Sequence, residues 1–292
     1  MPTYTQYRDP TDTTRGPSPI IWADCPTLEM LHDPGVGYHF FDDFISCPKT
    51  DAGLFEGAGE SPGQGGYQFY GTTGVVMSAD TAATEPGSVG GILAVTGNDA
   101  DNDEGVISGG SPAFIISDTA AYSRKLWFEA RVNKASIAND ALAVFVGLGW
   151  DDDSQVSVAK TLCLTDNAGA LGAFSFIGFH IDQADGDAWN FVYKAEGQAE
   201  TELISGVAVP VADTYQKLGF VFDPDAPSDQ RITVYVDGVA NATYGTATNI
   251  AAATFPDAEA MAPVYCAKVG TGSAAVIGRM DWWRCAQLAS AT

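Results

Sequence analysis

The chain has 292 residues, 46% hydrophobic and 17% charged, enough apolar material for one large all-β domain and too much for a wholly disordered chain. Its 14 basic and 37 acidic residues give a net charge of −23, which excludes the basic face that nucleic acid needs and argues against an anionic membrane surface. No run approaches the roughly 18 apolar residues of a membrane span, and Met1-Pro2-Thr3-Tyr4 opens no signal peptide, so synthesis in a cytoplasm is expected.

In chain order, residues 1–37 are irregular, with four prolines from Pro2 to Pro19 and two more at Pro26 and Pro34. Only residues 27–32 predict a short helical turn. The stretch reads as an extended arm that cannot bury its own Ile20, Ile21, Trp22, Leu28, Met30 and Leu31, so these six are candidate docking residues. They pack either on their own domain or on a neighbouring subunit. Residues 38–292 read as a single domain. Within it, eight glycines between Gly53 and Gly74 predict a long loop.

Strands follow. In residues 126–132 one face carries Leu126, Phe128, Ala130 and Val132 and the other Trp127, Glu129 and Arg131, the period of a half-exposed strand. Residues 141–150 are apolar on both faces and predict a central, doubly covered strand. Asp185-Gly186-Asp187 predicts a turn between strands at 174–181 and 189–193. Residues 215–222 place Leu218, Phe220 and Phe222 on one side. Asp237-Gly238, between alternating runs at 232–236 and 239–244, is the strongest hairpin signal. A final strand is predicted over 275–288, where adjacent Trp282 and Trp283 must point to opposite faces. Strands, tight turns and no long helices predict a sandwich or jelly roll.

Catalytic signatures are scarce. The three histidines, His32, His39 and His180, have no His-x-x-x-His spacing, and each reads as a surface or satisfied core residue. No Gly-x-Ser-x-Gly elbow or phosphate-binding loop occurs. Glu196, Glu200 and Glu202 come nearest to a carboxylate pair for sugar hydrolysis but read as a solvated edge. Five widely spaced cysteines without a Cys-x-x-Cys pair read as reduced thiols, with a Cys266–Cys285 pairing left open. Asp99, Asp101 and Asp103, with Glu104, alternate as calcium-loop ligands do, although Glu104 stands where an EF-hand has glycine; they are the candidate calcium ligands. Asp151-Asp152-Asp153 and Asp182, Asp185 and Asp187 are comparable clusters. Trp189, Tyr193 and Trp282 are candidates for stacking on sugar rings, with core packing as the alternative.

Several of these runs resemble concanavalin A-like jelly-roll domains of bacteriophage virion proteins: Tyr38-His39-Phe40-Phe41-Asp42-Asp43-Phe44, residues 126–132, Leu218-Gly219-Phe220-Val221-Phe222-Asp223, Val234-Tyr235-Val236-Asp237-Gly238, and the closing Ile277-Gly278-Arg279-Met280-Asp281-Trp282-Trp283-Arg284. The resemblance implies an all-β, concanavalin A-like jelly-roll β-sandwich of two antiparallel sheets with an irregular N-terminal arm. It also implies a non-enzymatic capsid decoration protein on the outer surface of a virion. Such a protein docks on the major capsid protein through its arm and sandwich edges, as a homo-oligomer such as a trimer, with no cofactor required. The acidic charge fits a position outside the shell, away from packaged DNA. The alternatives are a carbohydrate-binding tail-fibre or adhesin module recognising host glycans, and a sandwich-fold glycosidase or lyase.

Overall fold

The computed structural model describes residues 15–44, 59–61, 67–72, 75–79, 91–97, 101–109, 112–138, 141–149, 163–165, 169–182, 188–270 and 277–289. Two short helices come first, α1 (Pro19–Trp22) and α2 (Thr27–His32), followed by strand β1 (Gly37–Asp42). Then come β2 (Gly59–Ser61), β3 (Tyr67–Gly71), β4 (Val76–Ala79), β5 (Leu93–Thr96), β6 (Glu104–Gly109) and β7 (Phe114–Ile115). The middle of the chain gives β8 (Leu126–Lys134), β9 (Leu142–Gly149), β10 (Phe176–Ile181), β11 (Trp189–Lys194) and β12 (Thr201–Ala208). Last are β13 (Gln216–Phe222), β14 (Ile232–Val236), β15 (Val239–Gly245), α3 (Ala247–Ile250), β16 (Ala260–Val269) and β17 (Ile277–Leu288).

The strands form two antiparallel sheets. Sheet A runs β15-β14-β13-β8-β17-β5-β4, with β1 pairing the C-terminal half of β17. Sheet B runs β12-β11-β10-β9-β16-β6-β3-β2, with β7 pairing the start of β16. Alternation decides which side chains meet between the sheets: Leu126, Phe128, Ala130 and Val132 from β8 and Leu218, Phe220 and Phe222 from β13 pack against Val144, Val146, Phe179 and Phe191 from sheet B. The result is a concanavalin A-like jelly-roll β-sandwich. Among the described residues no helix is long and apolar enough to cross a membrane.

The hairpin lies where Asp-Gly placed it. Asp237 and Gly238 both have positive φ, 50° and 77°, the turn whose twist matches its strands. A bulge in β17 between Met280 and Trp282 inserts Asp281 as an extra residue, so Met280 and Trp283 face the core while Trp282 faces outward.

Two expectations change. The glycine-rich stretch 53–74 is not one long loop, because β2 and β3 lie within it; its other glycines fall largely outside the described residues. β8 is buried along its whole length rather than half-exposed. Trp127, Glu129 and Arg131 read as a solvent face, but residues 15–36 lie over them. The described part of the N-terminal arm therefore packs on its own domain: Ile21, Trp22, Cys25 and Met30 form a separate cluster with Trp127, Val221 and Ala286 on the outside of sheet A. Residues 1–14 lie outside the described residues. The turn at 183–187 does too, although β10 and β11 pair antiparallel around it as expected.

Candidate functional site

Buried charges mark where an apolar sandwich departs from pure packing, and they cluster on the outer faces of the two sheets. On sheet A they anchor the N-terminal segment. Glu129 is fully buried; its carboxylate accepts the Ser18 amide at 2.9 Å and the Trp22 indole N–H at 2.7 Å. Burial pushes this carboxyl up, against the pull of those donors and of Lys217. Asp281, carried outward by its bulge, takes Arg15 Nη2 at 2.8 Å and Arg131 Nη1 at 2.6 Å. Trp282 Nε1 donates to the Arg15 carbonyl at 2.6 Å, and Arg284 lies over the Trp22 ring while bonding Thr27 Oγ1 at 2.8 Å.

Sheet B carries a second set. His180 on β10, Phe145 on β9, Cys266 on β16 and Val106 on β6 form one row across its outer face. Glu104 and Lys268 pair one step along. A strap, residues 163–165 and 169–175, crosses this face, and charged side chains hold its backbone. Glu104 accepts the amides of Cys163 and Leu164 at 2.8 and 3.1 Å. His180 bonds the Gly169 carbonyl and Glu200 Oε1, both at 2.9 Å. Lys194 donates to the Leu171 carbonyl at 3.1 Å. Burial pushes the Glu200 carboxyl up, but the His180 hydrogen bond and charge, the Leu171 amide and Lys194 outweigh it and hold it below the usual range.

Among the described residues the acids that reach this face, Glu104 and Glu200, both accept amides of the strap. A separate open cleft of about 360 Å³ is lined by Asp118, Ala120, Ser123, Lys125, Pro224, Asp225 and Arg231. Lys125 there pairs with Asp24 at 2.6 Å and with Asp223, whose carboxyl stays below its usual range because that pairing outweighs burial. The cleft is an ion-paired surface depression.

The structure disperses the residues singled out from sequence. Trp189, Tyr193 and Trp282, the candidate sugar-stacking aromatics, are all buried. Trp189 and Tyr193 face the core, where Trp189 donates to Gln216 and Tyr193 packs on Phe255, and Trp282 faces the N-terminal segment. None of these three rings presents a face to solvent. Of the candidate calcium ligands, Asp99 lies outside the described residues, Asp101 is exposed, and Asp103 is buried with Oδ1 accepting from Thr72 Oγ1 at 3.0 Å. The clusters at 151–153 and at 185 and 187 are also outside the described residues. Of the docking candidates, Ile21, Trp22 and Met30 are buried inward, while Ile20, Leu28 and Leu31 are 62%, 45% and 63% exposed. Glu196 and Glu202 are solvated as expected, but Glu200 is not, because it clasps His180. Cys266 and Cys285 lie in different clusters and are not bonded. Sequence reasoning missed the roles of Glu104, Glu129 and Asp281; for Glu129 and Asp281 the available signal was a single acid within a predicted strand.

No protein-family model matches the chain, and no curated protein matches it by sequence. Among solved structures it is similar to a protein of unknown function from Shewanella oneidensis, with 15% identity over 88% of this chain and 89% of that one and a TM-score of 0.53. It also aligns with peanut lectin (13% identity, 87% and 99% covered, TM-score 0.49). An endo-1,3-beta-glucanase from Streptomyces sioyaensis aligns as well (15% identity, 86% and 96% covered, TM-score 0.48). At these identities the likeness is one of fold.

Proposed function

We propose that this protein is a non-enzymatic decoration protein on the outer shell of a virion, docking on the major capsid protein. The observation that carries this reading is the N-terminal cover of sheet A. Its two helices turn Ile21, Trp22 and Met30 into the domain yet present Ile20, Leu28 and Leu31 to solvent, and Phe41 on β1 is exposed as well. Large apolar side chains presented outward on a strongly acidic protein fit a partner surface better than water. The buried acids described above support the non-enzymatic part, since each is engaged in holding backbone or a guanidinium. The resemblance of the strand runs to virion jelly-roll domains supplies the setting, and a homo-oligomer such as a trimer suits a symmetric shell.

The test is stoichiometry followed by substitution. Mass spectrometry of purified particles should count this chain at a simple ratio to the shell protein. Leu28→Asp with Leu31→Asp should reduce shell occupancy at least tenfold while circular dichroism stays unchanged, because neither side chain contributes to the core. A handful of copies per particle, with binding on a glycan array, would instead favour a host-glycan module. Absence from particles would overturn both.

A further inference from the structure

Two thiols and a carboxylate meet under the strap. Glu104, Cys163 and Cys266 are buried, and one ligand atom from each, a carboxylate oxygen and two Sγ atoms, lie within 4.8 Å of one another. Sheet register explains Glu104 and Cys266: Glu104 pairs Lys268 and Cys266 pairs Val106 on adjacent strands, which makes Glu104 and Cys266 diagonal neighbours on one face. Glu104 itself places the third. By accepting the amides of Cys163 and Leu164 it fixes that turn of the strap, and the Cys163 sulfur comes within hydrogen-bonding reach of Cys266.

The charge arithmetic admits a divalent cation. In the metal-free cluster the Glu104 carboxylate faces the Lys268 ammonium at 3.5 Å, and the two thiols add no charge. A divalent ion that displaces both thiol protons brings two positive charges and creates two thiolates, so the buried net charge does not change. Any exchange that did change it would be opposed by the low-dielectric surroundings. Two thiolates and one carboxylate form a donor set for zinc, whereas calcium and magnesium require oxygen ligands throughout. Donors of a tetrahedral zinc site stand about 3.7 Å apart, given a zinc–sulfur bond of about 2.3 Å. The cluster therefore needs to contract by about 1 Å at most.

We propose that Glu104, Cys163 and Cys266 bind one zinc ion, which pins residues 163–165 to the outer face of sheet B. Each ion bound releases two protons. This site is independent of the docking reading above.

The test uses the full reduced chain, with cobalt as the spectroscopic probe. One cobalt per chain should give a thiolate-to-metal absorption band and the strong visible bands of a tetrahedral site, both abolished by one equivalent of zinc. Cys163→Ser and Cys266→Ser should each weaken binding at least tenfold, while Cys285→Ala, which removes a buried thiol elsewhere, should leave it intact. In the unmodified chain, zinc should slow alkylation of Cys163 by N-ethylmaleimide, a readout that needs no variant. No thiolate band, or a band that survives both serine substitutions, would overturn the proposal.

Discussion

Single side chains on the outer face of sheet A do work that their chemistry would not suggest. Glu129 is an acid in the middle of a fully buried strand, and it stays there because two donors of the N-terminal segment need an acceptor. Glu129→Ala leaves the Ser18 amide and the Trp22 indole without one and should lower the unfolding free energy by about 3–5 kcal/mol. Glu129→Gln keeps an acceptor and should cost less; denaturant titration followed by tryptophan fluorescence measures both. His39 gives the molecule an acid-sensitive contact. Burial, with the Arg284 guanidinium that donates to Nε2 at 2.9 Å, lowers its pKa from 6.5 to about 4. Between those values the unfolded chain binds a proton that the folded chain refuses, so this residue's contribution to stability falls as pH drops from 6.5 to about 4. His39→Gln keeps an acceptor for Arg284 but does not titrate. It should flatten that part of the stability profile, as read from denaturation midpoints across the window.

Among the elements, the N-terminal segment behaves as part of the sandwich. Residues 15–36 cover Trp127, Val221 and Ala286 and satisfy Glu129 and Asp281, so they supply a second small core. Losing a buried tryptophan such as Trp22 alone costs about 3–5 kcal/mol, a large fraction of the roughly 5–15 kcal/mol that holds a domain together. A chain beginning at residue 37 should therefore aggregate or lose its near-ultraviolet circular dichroism. A peptide of residues 15–36 added in trans should restore it, and recovery without the peptide would sink this account. The contrast with the strands shows what was legible in the sequence. Period-two alternation located β8, β13 and β14, a run apolar on both faces located β9, and Asp237-Gly238 located the hairpin, because those signals are local. What covers a strand is not local. Trp127, Glu129 and Arg131 look the same in sequence under solvent as under a helix, and no short-range pattern shows that Ser18 lies against Glu129. Trp189 and Tyr193 failed as site candidates for the same reason, since an aromatic in a strand carries no mark of which sheet faces it. Cys163 and Cys266 stand 103 positions apart, a separation that hides their meeting from any spacing rule.

For the whole molecule, the arrangement of β17 reaches beyond the folded state. It lies inside sheet A, between β8 on one side and β1 and β5 on the other, with Gly37 opposite Leu288. Its partners are all translated earlier, so during synthesis β1, β5 and β8 keep open edges until β17 is made. Completing the sheet means pairing segments that lie between 144 (Lys134 to Gly278) and 251 (Gly37 to Leu288) positions apart, which makes for slow assembly. In that interval Phe40, Phe128 and Ala130, which Cys285 and Trp283 later adjoin, are exposed to other unfinished chains. Yield in a producing cell thus becomes a race between the last strand and self-association, one that cooler growth or a chaperone would tilt toward the folded product.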